Sequence, residues 1–160
     1  PSMCGIAGYI DLTQPADQSL IEAMTRTMEH RGPDGEGYYL DGSLALGHRR
    51  LSIIDLAGGK QPMADDSGRY WITFNGEIYN FRELRQELIA LGHQFKTNSD
   101  VEVILHLYEI YGDDCVNHLN GMFAFAIWEI RAQSITNEYA EAPATIILGL
   151  CFCAKSSISE

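Results

Sequence analysis

The short connections between β-strands are the feature that most constrains how this chain folds. Gly37–Leu40 and Ser43–Ile54 have strand-like composition and flank Asp41-Gly42, a dipeptide that strongly favours a two-residue hairpin turn. Further strands are predicted at Cys4–Ile10, Tyr70–Phe74 and Gly121–Trp128. Parallel strands need a long crossover connection, whereas antiparallel strands can be joined directly. The pattern therefore predicts antiparallel sheets.

Helical segments are interspersed with these strands. Apolar residues recur at helical spacing in Ser19–His30, in the segment from Phe81 to Leu91 and in Asp100–Tyr111. Two of the segments begin with a capping-box pattern, formed by Asn80 with Glu83 and by Ser99 with Glu102. Gly92 stands where a helix commonly ends. Helices mixed with hairpin-linked strands predict an α+β fold, in which helices pack on antiparallel sheets.

Composition narrows the classes of function. The 160 residues suffice for one domain with its own core. The net charge is −11 and the basic residues are scattered, which argues against nucleic acid or an anionic membrane as a partner. The longest apolar run, Ala144–Ala154, is far shorter than the roughly 20 residues that span a bilayer. Nothing resembles a signal peptide and the four cysteines form no disulfide pattern, so a cytoplasmic location is predicted.

Cys4 is the strongest candidate for a reactive residue, provided that it becomes the first residue of the chain. An N-terminal α-amine has an ordinary pKa of about 7.7–8.0, so part of it is unprotonated at neutral pH and can act as a base. Because the thiolate is the nucleophilic form of cysteine, such a residue supplies both nucleophile and base. With Pro1–Met3 attached, the nitrogen would be an amide and could not act as a base. Either translation starts at Met3 and the methionine is removed, or a leader is cleaved, or the chain is inactive; the position of Met3 directly before Cys4 favours the first.

Six short motifs occur in one order between residues 3 and 134. They are Met3–Gly8, His30–Gly35, Gly47–Asp55, Phe74–Asn80, Ser99-Asp100 and Gly121–Phe125. Any one of them is a weak signal, but six in register are specific. In these motifs the chain resembles the N-terminal glutaminase domain of the glutamine-hydrolysing asparagine synthetases, which are class II amidotransferases of the N-terminal-nucleophile type. The resemblance implies a layered αββα fold, here incomplete at the C-terminal end.

The resemblance implies a catalytic group of three residues. Cys4 would attack the side-chain amide of glutamine, and the resulting oxyanion needs donors aimed at the developing charge. The side-chain amide of Asn75 and the backbone N–H of Gly76 would supply them. A glycine suits this role because it lets the backbone approach a ligand closely. The alternative interpretation of Asn75-Gly76 is a simple hairpin turn, which does not account for the other five motifs.

Five further residues are implied in glutamine binding: Arg50, Leu51, Ile53, Glu77 and Asp100. Arg50 would bind the α-carboxylate, because a planar guanidinium matches a carboxylate better than an ammonium does. Asp100, helped by Glu77, would bind the α-ammonium, and backbone groups of the two apolar residues would line the pocket. Without the resemblance, Arg50 and Asp100 are ordinary surface charges, and Asp100 is an acid favoured in the first turn of a helix. Arg49 is the weaker candidate of the tandem arginines.

His30 and Arg31 are implied as supports for the loop near Cys4. Three other histidines carry no motif and are predicted to be surface or packing residues: His93, His106 and His118. Cys151-x-Cys153 lacks two further ligands, so no metal site is predicted. Glutamine hydrolysis is expected to need no cofactor, whereas ATP and magnesium would act in the synthetase domain of the full-length enzymes.

The end of the likeness sets the predicted domain boundaries. Residues 4–134 are predicted to be a partial type-2 glutamine amidotransferase domain, without a synthetase domain after it. Residues 135–160 are interpreted as a divergent tail of unknown structure, and a reading-frame shift is our hypothesis for its origin. Lost strands would leave sheet edges unpaired, so a marginally stable product is expected.

Three functions are compatible with these residues. The expected one is hydrolysis of L-glutamine to glutamate and ammonia, which the full-length enzyme uses to convert aspartate to asparagine with ATP. An amidotransferase with a sugar or peptide acceptor would have the same N-terminal half. A glutamine-binding module with a blocked Cys4 would be non-catalytic. A homodimer is compatible with each of them.

Overall fold

The computed structural model describes residues 4–51, 59–130 and 146–151, which form two antiparallel sheets. Sheet A has the strand order β1-β3-β2, with β1 at Gly5–Ile10, β2 at Gly35–Asp41 and β3 at Leu44–Arg50. Sheet B has the order β4-β5-β6-β7, with β4 at Met63–Ala64, β5 at Tyr70–Ile78, β6 at Gly121–Glu129 and β7 at Ile146–Cys151. Every described strand pair is antiparallel, as the hairpin signals predict.

Helices pack against both sheets. Within the described residues the α-helices are α1 at Gln18–Arg26, α2 at Phe81–Ala90 and α3 at Asp100–Tyr111, and a 3-10 helix follows α3 at Gly112–His118. Helix α1 contacts sheet A, whereas α3 contacts β4 and β5 of sheet B and α2 packs on α3. Because β1 and β3 also contact β5, the two sheets face each other between the helical layers. The predicted α+β fold with its αββα layers is confirmed. None of the helices in these ranges combines the length and the apolar character that crossing a membrane requires.

Aromatic and polar contacts join the two sheets. The Tyr39 ring of β2 stacks on Trp71 of β5 with 3.8 Å between centroids. The Trp128 indole N–H donates to the Asp41 carboxylate over 2.7 Å. Behind sheet B, the main apolar core lies between the sheet and α3 and includes Ile72, Phe74, Ile104, Phe125 and Ile127. Sheet B is therefore packed on both faces.

The sequence correctly predicted the turn at Asp41-Gly42 but placed the end of α1 too late. Gly42 has a φ of 53°, in the left-handed region that the Asp41-Gly42 hairpin requires. Helix α1 ends at Arg26, several residues before the predicted His30. The chain after it closes in tight turns, with the Met28 and Glu29 N–H groups donating to carbonyls three residues back. Tight turns of this kind commonly terminate helices.

The two predicted capping boxes are only partly correct. Asn80 occupies the N-cap position of α2, but its side chain makes no cap hydrogen bond. Its amide instead donates to the His118 carbonyl and accepts from the Asn120 N–H, both at 2.9 Å. Ser99 does cap α3 by accepting from the Val101 N–H. The buried Glu102 carboxylate, however, binds the Lys96 and Thr97 N–H groups of the preceding turn.

Part of the segment after residue 134 forms a strand that the sequence did not predict. Strand β7 pairs with β6 from Phe123↔Cys151 to Trp128↔Ile146. Its apolar run has no alternation, and such a run cannot be assigned to a strand or a helix by periodicity alone. Strand β7 extends sheet B beyond β6, so this edge of β6 is paired in the described structure. The origin of the segment stays a prediction.

His48 of β3 is a buried histidine at the contact between the sheets. The residue is 1% exposed, and its Nε2–H donates to the Phe74 carbonyl over 3.2 Å. Burial is the main cause that lowers the pKa of His48 to about 4 from its ordinary 6.5. The histidine is therefore neutral in the folded protein at neutral pH, and its Nε2–H forms a hydrogen bond between the two sheets.

This histidine makes stability depend on pH. Between pH 6.5 and pH 4 the unfolded chain binds a proton at His48 that the folded chain does not. The free energy of unfolding should therefore fall as the pH falls through this window, by about 3 kcal/mol in total. Urea unfolding at several pH values measures this. The His48→Gln variant keeps a donor but cannot titrate, so its slope should be flatter, and equal slopes would contradict the assignment.

Candidate active site

Cys4 lies immediately before β1, at one end of sheet A. The register pairs Gly5 with Arg49 and therefore brings Cys4 level with the end of β3. Cys4 is a half-buried free thiol, and the Leu51 N–H donates to its sulfur over 3.4 Å. The Arg31 Nε–H donates to the Cys4 carbonyl over 3.2 Å. The sulfur and the backbone of Cys4 are thus held by groups from two separate loops.

His30 and Arg31 differ in what they do near Cys4. Arg31 contacts the Cys4 backbone directly, as a supporting residue would. His30 is exposed and makes no hydrogen bond or ion pair among the described residues. Gly32 explains how this loop comes close to β3, because a Cβ at this position would lie 2.5 Å from the Arg49 carbonyl carbon. A larger residue would push the loop away from the strand.

The tandem arginines of β3 have different environments. Arg49 is 6% exposed, and its guanidinium binds Glu36 at 2.6 Å and Glu29 at 3.5 Å. Its charge is already neutralised within the fold. Arg50 is the last residue of β3, next to Leu51, and its guanidinium reaches Gly59, where a Cβ would lie 3.1 Å from Nη2. Arg50 is therefore the arginine at the Cys4 end of sheet A.

Asn75, Gly76 and Glu77 lie inside β5, paired with Ala124, Phe123 and Met122 of β6. This overturns the alternative interpretation of Asn75-Gly76 as a hairpin turn. Gly76 has a φ of 149°, and a Cβ there would lie 2.2 Å from the Met122 carbonyl oxygen, so only glycine fits. The Asn75 amide oxygen is buried without a hydrogen-bond partner in the described part of the chain. An orphaned buried polar atom is unusual and calls for an explanation, such as strain, a catalytic role or an ordered water.

Asp100 begins α3 beside the end of β5. Its Oδ2 accepts from the Ile78 N–H over 3.3 Å. Burial is the main cause that raises the pKa of Asp100, and the nearby negative charge of Glu77 raises it further. The hydrogen bond from the Ile78 backbone acts in the opposite direction. The Asp100 carboxyl group thus lies close enough to Glu77 for the two acids to disfavour each other's charged form.

The contacts between the sheets bring the two groups of residues to one end of the fold. The Thr73 hydroxyl donates to the Gly47 carbonyl over 3.4 Å, and the next residues, His48 and Phe74, are hydrogen-bonded at 3.2 Å. Strands β3 and β5, which belong to opposite sheets, therefore lie face to face and advance in the same direction at this contact. Two residues further along, β3 reaches Arg50 and the Cys4 end of sheet A, while β5 reaches Gly76. Ile53 lies outside the described residues.

Two residues near this end were not assigned a role from the sequence. The Phe74 N–H donates to the Gln61 side-chain oxygen over 2.6 Å, and the Phe74 carbonyl accepts from His48. Both therefore hold the residue that precedes Asn75. His48 lies in the Gly47–Asp55 motif, and this position in a motif could have indicated a role for it. For Gln61 no sequence signal distinguished it from a polar loop residue.

The fold and the position of the cysteine define the class of protein. Two facing antiparallel sheets between helical layers are the αββα arrangement of the N-terminal-nucleophile hydrolases. The solved structure of the glutamine phosphoribosylpyrophosphate amidotransferase from Bacillus subtilis, complexed with ADP and GMP, has this fold. It matches with a TM-score of 0.62 at 23% identity, over 79% of this chain and 35% of that one.

The chain belongs to the glutamine amidotransferase domain family, whose family model matches residues 3–137. It is 50% identical over 130 residues to the glutamine-hydrolysing asparagine synthetase 1 of Bacillus subtilis (strain 168), covering 79% of this chain and 21% of that relative. A probable asparagine synthetase of Dictyostelium discoideum is 43% identical over 135 residues, covering 82% and 24%. The chain thus spans about a fifth of the length of these relatives. The family predicted from the six motifs is confirmed.

Proposed function

We propose that residues 4–134 form a glutaminase domain that hydrolyses L-glutamine to glutamate and ammonia. The observation that carries this proposal is the half-buried thiol of Cys4, which receives the Leu51 N–H at the end of sheet A where Arg50 also lies. Cys4 would attack the side-chain amide at one end of glutamine, and Arg50 would bind the α-carboxylate at the other end. Its relatives by sequence are asparagine synthetases that hydrolyse glutamine, which supports the same substrate.

The reaction follows from the two groups on Cys4. With the α-nitrogen free, the amine takes the thiol proton as the sulfur bonds to the γ-carbonyl carbon of glutamine. The tetrahedral intermediate collapses, the C–N bond breaks, and the amine returns its proton to the leaving nitrogen, which departs as ammonia. Water then attacks the γ-glutamyl thioester, the C–S bond breaks and the thiol is restored. Glutamate is the second product, and no external oxidant or reductant is needed.

Charge develops on the carbonyl oxygen during both attacks. The Asn75 side-chain amide and the Gly76 N–H would donate to it, and donors held in position by a strand would lower the barrier. The donor in this role would be the Asn75 Nδ2–H group, because the amide oxygen can only accept a hydrogen bond. Gly76 fits as well, because the strand can hold only a glycine there.

Substrate recognition would use charges of both signs. Arg50 would bind the α-carboxylate of glutamine, and backbone groups of Leu51 and Ile53 would line the pocket. Asp100 and Glu77 would bind the α-ammonium. The raised pKa of Asp100 supports this role, because an ammonium ion placed beside the two acids would favour their charged forms.

The ammonia would be used by a second domain. We infer that it converts aspartate to asparagine in a synthetase domain that uses ATP and magnesium, because the matched relatives are named for that reaction and are much longer than this chain. Glutamine hydrolysis itself would use no cofactor. A reducing, cytoplasmic setting would keep the Cys4 thiol free.

The tandem arginines allow a matched test of glutamine recognition. Arg50→Lys should raise the KM for glutamine about 10- to 100-fold. A guanidinium can make two parallel hydrogen bonds to the α-carboxylate, whereas the lysine ammonium acts as a point charge. The kcat should change less. Arg49→Lys should leave KM close to the wild-type value, since Arg49 is already bound to Glu36 and Glu29. Ammonia release measured against glutamine concentration gives both constants.

The reverse outcome would contradict the assignment. If Arg49→Lys raised KM and Arg50→Lys did not, the carboxylate-binding arginine would be the wrong one of the pair. If the folded wild-type chain, with Cys4 as its first residue, released no ammonia from glutamine, the proposed reaction itself would fail.

A further inference from the structure

Two histidines and a glutamate that the sequence did not connect converge between α2 and α3. His93 follows the end of α2, and His106 and Glu109 lie three residues apart on α3. The two Nδ1 atoms are 3.1 Å apart, and the Glu109 Oε2 lies 3.0 Å from His106 Nδ1 and 3.6 Å from His93 Nδ1. We propose that these three atoms bind a divalent transition-metal ion of the zinc type.

The distances between the three atoms suit a shared cation. A tetrahedral ion with ligand bonds of about 2.1 Å holds its ligand atoms roughly 3.4 Å apart, and the three separations lie around this value. Hydrogen bonds alone satisfy the group poorly. A neutral imidazole carries one N–H. A proton on His106 Nδ1 therefore cannot make good hydrogen bonds to both His93 Nδ1 and the Glu109 carboxylate. One cation between them binds all three lone pairs.

The end of α2 holds His93 in a defined position. Gly92 has a φ of 100°, which lets the chain reverse directly after the helix. The Gly92 N–H donates to the Ile89 carbonyl and the His93 N–H to the Leu88 carbonyl, both at 3.0 Å. This pair of bonds is the Schellman motif, so the backbone of His93 is fixed relative to α2. One ligand is therefore pre-positioned before any ion binds.

Packing orients His106 from the other side. His106 is 6% exposed, and the Phe95 ring packs edge-on against its ring with 4.7 Å between centroids. The Nε2 atom is buried and has no hydrogen-bond partner among residues 4–51 and 59–130. Within these residues, the polar contacts of the His106 ring are made through Nδ1, the atom that faces His93 and Glu109.

The donor set and its exposure indicate the class of ion. Imidazole nitrogens favour zinc and similar transition metals, whereas magnesium and calcium prefer oxygen ligands. The side chains of His93 and Glu109 are 22% and 26% exposed, so an ion can enter from solvent and a water can complete its coordination. His106 lies about 9 Å along the helix axis from Asp100, so the site is separate from the candidate active site. A bound ion would link the end of α2 to α3.

Metal titration of the Cys4→Ala chain tests this proposal without interference from the N-terminal thiol. After chelator treatment, the chain should bind one Co²⁺ with intense visible absorption bands, and Zn²⁺ should displace it. Because the ion binds the folded chain preferentially, Zn²⁺ should also raise the melting temperature. His93→Gln and Glu109→Gln, both at partly exposed positions, should each weaken binding at least about 10-fold.

His118→Gln is the matched control, because His118 lies outside the cluster and stacks on Tyr111. It should bind Co²⁺ as the parent chain does. Absence of binding to the parent chain would overturn the proposal. Binding that is equally strong in His93→Gln and Glu109→Gln would also overturn it, since the ion would then be held elsewhere, as by Cys151 and Cys153.

Discussion

Replacing Cys4 by alanine is expected to abolish glutamine hydrolysis while glutamine binding is retained. The substitution removes the only atom that forms the thioester, and loss of a nucleophile of this kind costs at least about 10³-fold in kcat. The binding contacts proposed for Arg50 and Asp100 do not involve the sulfur, so the affinity for glutamine should change little. Ammonia release measures the first effect, and calorimetric titration with glutamine measures the second.

The α-nitrogen supplies the control for this experiment. A chain whose first residue is Cys4, verified by its intact mass, should release ammonia. A chain that retains Pro1–Met3 should not, because an amide nitrogen cannot accept the thiol proton. Full activity with the tripeptide attached would show that another group is the base, and ammonia release by Cys4→Ala would refute the nucleophile assignment.

Replacing Gly76 by alanine is expected to destabilise the fold strongly. A Cβ at this position would lie 2.2 Å from the Met122 carbonyl oxygen and 2.5 Å from the Phe123 Cα, both on the backbone of β6. These backbone atoms cannot rotate away from a new Cβ, so β5 and β6 would have to move apart. The movement would disturb the pairing of the two strands, in which all nine residues of β5 take part. Together with the φ of 149°, this should lower the free energy of unfolding by about 3 kcal/mol or more. Urea unfolding followed by tryptophan fluorescence measures it.

Gly68 offers a matched control for the backbone conformation. It has a φ of 73°, but no atom of the described residues lies within 4 Å of the position that a Cβ would occupy. Gly68→Ala should therefore cost only about 1 kcal/mol, the penalty of the left-handed conformation itself. The difference between the two variants isolates the collision with β6. Equal losses of stability would show that the close approach of the strands does not matter.

Local signals predicted well the elements that local physics controls. Helix α3 begins and ends at the predicted residues, because Ser99 caps it and its apolar face has helical spacing. The hairpin at Asp41-Gly42 also formed as predicted, since the turn requires a positive φ that glycine adopts freely. These features depend on residues that are near one another in the chain.

Local signals failed where a distant part of the chain competed for the same group. The Asn80 side chain leaves the start of α2 and binds backbone groups at His118 and Asn120 instead. Asn75-Gly76, a common turn dipeptide, lies in mid-strand because β6 pairs with it. The ion pairs of Arg49 with Glu29 and Glu36 likewise join residues that are far apart in the chain, and no local pattern predicted them.

The amino-acid sequence by itself determined the family and the layered α+β class, because six ordered motifs and hairpin-linked strands are properties of the linear chain. Only the tertiary structure decided which polar groups meet. It brought Cys4 and Arg50 to the end of sheet A, Asp100 to the end of β5, and His93 to His106 and Glu109. The reason is that these contacts depend on how strands and helices pack across long stretches of sequence, and no local spacing encodes a distance between them.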